Sequence, residues 1–189
     1  MRDSAFPFLA VMFAVLLGMG VVQLVTAIGG LIKYREKVRP YWLHGAWFLL
    51  VLLLYFHVWW SFWEFRLATH WNYLTYLFLL VGPVTLITAT DLLIPDLDGA
   101  VDVDSRSYYY TMHRGFFAAM SAAVIWGMSI YPVMFQQVDP ILEWLLLFLA
   151  ITVVLAITRN ATVHAVLTVL AWILFAIMVS SYGFTTDVT

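Results

Sequence analysis

The sequence predicts an all-α, polytopic membrane protein, a bundle of six transmembrane helices joined by short loops. Three observations carry that reading. Of 189 residues, 64% are hydrophobic and 11% are charged, against about 25% charged in soluble domains. Mean hydropathy is +0.93. All charges but Glu143, with Pro40, Pro95 and Pro140, fall outside apolar runs long enough to cross a hydrocarbon core of about 30 Å. A soluble domain, a disordered chain, a coiled coil, collagen and a disulfide scaffold are thereby excluded. The sequence has no cysteine, which removes thiolate nucleophiles and Cys-ligated zinc or iron–sulfur centres.

In chain order the predicted spans are 6–32, 41–63, 71–90, 115–138, 141–158 and 161–181, all in one domain, 1–189. The first carries its basic residues (Lys33, Arg35, Lys37, Arg39) after the apolar run. A cleavable signal carries them before it, so this span is expected to be retained. Pro40 restarts the chain, and Glu64 and Arg66 close the second span. The third stops at Asp91 and Pro95. The polar stretch from Asp91 to Arg114 then reads as a loop of about 20 residues, with Tyr108 to Met112 as a short interfacial turn. Asp139-Pro140 and Arg159-Asn160 separate the last three spans. The fifth run is at the low end for spanning, and a re-entrant course is its alternative.

Lys33, Arg35, Lys37, Arg39, Arg106, Arg114 and Arg159 fall in odd-numbered loops, with Arg2 and Arg66 opposite. The positive-inside rule places the odd loops in the cytoplasm and both termini outside a cell membrane. Trp59, Trp60, Trp63 and Trp71 then sit at the outer ends of spans two and three as interface anchors. Trp42, Trp47 and Tyr108 to Tyr110 take the same role at the inner side. Small residues at helical spacing, Ala119, Ala123 and Gly127 in span four and Gly20, Gln23, Ala27 and Gly30 in span one, mark two packing seams.

Polar residues inside a membrane are the functional candidates. Thr85, Thr88 and Asp91 share one side of span three near Pro83, and Gln23 of span one can face them. Hydroxyls, a carboxylate and carbonyls freed by proline are what an ion path needs. Threonines bonded to their own helix are the structural alternative. His44, His113 and His164 begin spans two, four and six at one depth with Asp91. That is a donor set for a divalent metal or, between His44 and His113, for a single haem b. Separate interfacial histidines are the alternative there. On span two, His57, Trp60 and Glu64 recur at i, i+3 and i+7, with Arg66 placed to pair with Glu64.

Several chemistries drop out. Asp96-Leu97-Asp98-Gly99 lacks the spacing and closing Glu of an EF-hand. The aspartates are out of step with the CDP-alcohol phosphotransferase pattern. The last span has no lysine for retinal, and no arginine ladder marks a voltage sensor. No basic patch for nucleic acid appears. Three classes stay open. The first is a small channel or carrier whose transport path is Asp91, Thr88, Thr85 and Gln23. The second is a metal- or haem-dependent membrane enzyme using His44, His113, His164 and Asp91. The third is a non-catalytic subunit or scaffold that offers loop three or the seams to a partner. The first leads, because intramembrane polar residues default to it; its surroundings are the lipid bilayer and its expected assembly a homo-oligomer.

Overall fold

A computed structural model describes residues 5–68, 71–96 and 102–181. Arg2 and the 97–101 part of loop three, with Asp98, lie outside the described residues. Six helices follow in order: α1 (Ala5–Lys33), α2 (Trp42–Ser61), α3 (Tyr73–Leu93), α4 (Ser105–Phe135), α5 (Leu142–Ile157) and α6 (Ala161–Ser181). Five are long and apolar enough to cross a membrane. α5 has 16 residues, a length of about 24 Å. Every helix keeps an exposed apolar face, as at Val11, Leu49, Leu74, Ile125, Leu147 and Val169. Helices apolar on all sides belong in lipid, and the chain is an integral membrane protein.

The helices close a ring: α1 packs on α3, α3 on α4, α4 on α5, α5 on α6, α6 on α2, and α2 back on α1. α2 also touches α3 and α4, so it leans into the ring. Lipid gives helices no hydrophobic reason to associate, so close packing and interhelical hydrogen bonds must hold them. Bonds between side chains of different helices are among them. Gln23 Nε2 donates to Asp91 Oδ1 at 3.1 Å, and the hydroxyls of Tyr55 and Thr90 lie 3.1 Å apart. Trp47 Nε1 donates to Thr168 Oγ1 at 3.0 Å, Ser121 Oγ donates to Thr152 Oγ1 at 2.9 Å, and Tyr109 meets His164 at 2.8 Å. Each contributes roughly 0.6 kcal/mol on average in a membrane.

Three sequence expectations are corrected. The fourth helix begins at Ser105 rather than at Gly115, because Asp104 caps it, accepting from the backbone N–H of Arg106 (3.0 Å) and Ser107 (3.4 Å). Loop three is correspondingly shorter, and Tyr108 to Met112 belong to α4 instead of an interfacial turn. The Tyr108 hydroxyl donates to the Ile94 carbonyl at 2.7 Å and so satisfies the end of α3. Trp47 and Tyr109 are not interface anchors, since both are buried in the core. The two small-residue seams also differ from one another. Gly20 lies against the Tyr55 ring of α2, whereas Gly127 has open space where a side chain would stand. At the basic end, Val38–Arg39 (β1) pairs in parallel with Val103–Asp104 (β2) and ties loop one to loop three.

Candidate functional site

The three histidines predicted at one depth do gather at the basic end. The His113 and His164 rings lie 5.8 Å apart, and Tyr109 meets both His164 (5.4 Å) and His44 (6.2 Å). Their hydrogen bonds fix their protons, because a carbonyl can only accept. His44 donates from Nε2 to the Leu93 carbonyl at 2.7 Å, and His113 from Nδ1 to the Tyr110 carbonyl at 2.7 Å. His164 donates from Nε2 to the Thr158 carbonyl at 3.0 Å, so its Nδ1 accepts from the Tyr109 hydroxyl. Both nitrogens of His164 are therefore engaged, while Nε2 of the buried His113 has no hydrogen-bond partner among the described residues. Among the described residues no group of three or more His, Asp or Glu side chains is placed to hold a metal ion.

The predicted transport residues divide. Gln23 and Asp91 are brought together across α1 and α3, and Asp91 is exposed. Thr85 donates to the Gly82 carbonyl at 2.8 Å and Thr88 to the Val84 carbonyl at 2.9 Å, so each is satisfied within its own helix. The neighbouring Thr90 is fully buried and makes the bond to α2 instead. The predicted anchors Trp59, Trp60 and Trp63 are exposed, and Trp71 is half-buried with its Nε1 donating to the Ala68 carbonyl at 3.1 Å.

In the half of the bundle away from the basic end lies a cavity of about 140 Å³ to which all six helices contribute. Its walls are apolar and aromatic: Phe13, Phe65, Trp126, Trp144, Phe148 and Phe175. Its polar lining residues, His57, Ser61, Glu64, Tyr131 and Asp139, come from the ends of α2 and α4 and the loop before α5. The local cause is a change of helix type. After Ser61 the chain tightens into a 3₁₀ helix, Phe62–Leu67, with about three residues per turn, which breaks the α-helical stripe read from the sequence. Trp60 is exposed, and Glu64 accepts from the Tyr131 hydroxyl at 2.7 Å. Arg66 does not pair with Glu64; its guanidinium covers the Trp63 ring at 4.5 Å. Sequence reasoning singled out Glu64 and His57 but missed Tyr131 and the cavity role of Asp139, which reads there as a turn residue before Pro140.

Asp139 is 6% exposed and its Oδ1 accepts from the Ile141 N–H at 2.9 Å. Burial, with the nearby Glu64 charge, pushes its carboxyl above the ordinary range, against the opposing Ile141 bond. A carboxyl raised on folding binds its proton more tightly in the folded protein. Its stabilising contribution is therefore full at acidic pH and is lost as pH rises from the ordinary value through the raised one. Asp139→Asn, which keeps the cap, is expected to raise the melting temperature of the solubilised protein at neutral pH. The difference from the parent should close below the ordinary carboxylate range. A pH-independent difference in thermal melts would contradict the assignment.

No protein-family model, curated protein or solved structure matches the chain, so its site rests on its own geometry.

Proposed function

We propose that the protein is a small carrier, oriented with its basic end in the cytoplasm, whose substrate chamber is the cavity in the outer half of the bundle. The carrying observation is that all six helices contribute to this one cavity, so a rocking of helices about it changes every wall at once. Beyond the floor, toward the basic end, Trp47 packs on Phe117 at 4.9 Å and on Phe116 at 5.6 Å. That dense aromatic packing joins α2 to α4 on the basic side of the chamber and favours a carrier over an open channel. The Gln23–Asp91 pair then serves as the polar element on the inner side, the part of the predicted path around Asp91 that this reading keeps.

The sequence has no cysteine, so one thiol can report on access to the chamber. Ala123, which lines it, is replaced by cysteine in sealed vesicles of known sidedness. A membrane-impermeant maleimide is expected to react from the outer face readily and from the inner face more slowly, as alternating access requires. Reaction from the outer face alone would mean a blind pocket and end the carrier reading, and so would protection from both faces.

A further inference from the structure

Glu64 and Asp139 contribute two carboxylates to a cavity whose other walls are apolar and aromatic, with His57 and Ser61 beside them. Tyr131 covers Glu64 Oε2 and the Ile141 N–H covers Asp139 Oδ1. Among the described residues no lysine or arginine reaches either acid; the nearest candidate in sequence, Arg66, is turned onto Trp63. An acid held within a membrane bundle requires a counter-charge or a proton, and among the described residues no lysine or arginine supplies the former. The remaining walls specify what would carry it. About 140 Å³ of space is close to the roughly 150 Å³ cavity that accepts a benzene-sized guest. Aromatic faces attract cations as well as apolar bodies.

We infer that the chamber binds a monovalent organic cation, an amine on an apolar body about the size of a benzene ring, with the ammonium at Glu64 and Asp139 and the body between Trp126, Trp144 and Phe175. This rests on the chamber reading above. The ammonium donates to carboxylate oxygens that the protein leaves uncovered, and the body fills space that protein atoms leave empty. The second acid selects against neutral or anionic molecules.

The test uses the full chain in nanodiscs, with empty nanodiscs as the blank, and two probes of one shape: benzylamine, protonated at neutral pH, and the neutral benzyl alcohol. Calorimetric titration is expected to give at least about tenfold tighter binding of benzylamine, the scale of a charge-assisted contact. Glu64→Gln and Asp139→Asn should each remove most of that preference while leaving benzyl alcohol within about twofold. The comparison in the parent protein needs no variant, so a misfolded substitution does not decide it. Equal affinity for the two probes would overturn the cation assignment, as expected if the acids hold only a proton, and leave the chamber standing. Failure of both probes to bind above the blank would overturn the chamber as well. Loss of benzyl alcohol binding in the isosteric variants would assign the carboxylates a structural role only.

Discussion

Trp47→Ala is expected to lower folding stability by about 3 kcal/mol, the lower end of the range for deleting a buried tryptophan. Trp47 is 0% exposed, and its ring joins Phe116 and Phe117 of α4 to α2. Its indole N–H is also a hydrogen bond from α2 to α6. In a soluble core, truncation loses both the transfer of the ring out of water and the contacts around the void. In a bilayer the transfer part is small, because lipid tails are as apolar as the core, and the lost dispersion contacts remain. The missing hydrogen bond adds little, since Thr168 can turn its hydroxyl back to its own helix. Trp47→Phe, which keeps most of the ring, should lose about half as much. Reversible unfolding in mixed micelles measures both, and a Trp47→Ala protein within about 0.5 kcal/mol of the parent, the range of an ordinary surface change, would remove this layer from the core.

Much of the bundle is legible in the sequence because span length is set by membrane thickness and is read by counting. The start of α4 is not, because its first turns, from Ser105 to Arg114, are polar and hydropathy cannot tell a polar helix from a loop. The signal was the Asp104 cap, a local hydrogen-bond pattern rather than a property of the run. Depth is also legible: parallel helices put His44, His113 and His164 at one level, and Gln23 opposite Asp91. Rotation about each helix axis is not, since an apolar helix in lipid has no polar face to orient it. That is why Thr90, rather than Thr85 or Thr88, makes the bond between helices, and why Trp47 lies inside while Trp42 is exposed. The cavity is the least legible feature. A void depends on how six sets of side chains fail to fill a space, and no single segment encodes it. Glu64 was visible as the acid that closes the second span, but its partner Tyr131 lies on another helix and its aim depends on a 3₁₀ turn.

Gly82 offers the sharpest test of how α3 and α4 meet, because two opposing effects can be separated there. In an ordinary helix interior, glycine to alanine stabilises by about 1 kcal/mol through backbone entropy. At Gly82 an added Cβ would overlap the six-membered ring of Trp126, which lies directly on the backbone of α3. The ring cannot simply slide away, since its Nε1 donates to the Phe78 carbonyl at 2.8 Å. Pro83 follows immediately and removes a neighbouring backbone donor from the same stretch of helix. Displacing the ring therefore costs overpacking of about 1–3 kcal/mol and a hydrogen bond of about 1 kcal/mol, which together outweigh the helical gain. Gly82→Ala should destabilise by about 1–3 kcal/mol on balance, and Gly127→Ala, with open space beside it, should be neutral or stabilising. Trp126 also lines the cavity, so Gly82→Ala should weaken benzylamine binding without touching either acid. In a Trp126→Ala background the overlap is absent, and Gly82→Ala should then reverse sign and stabilise by about 1 kcal/mol. The same destabilisation in both backgrounds, measured by a double-mutant cycle of unfolding free energies, would show that the cost arises elsewhere than in the Gly82–Trp126 contact.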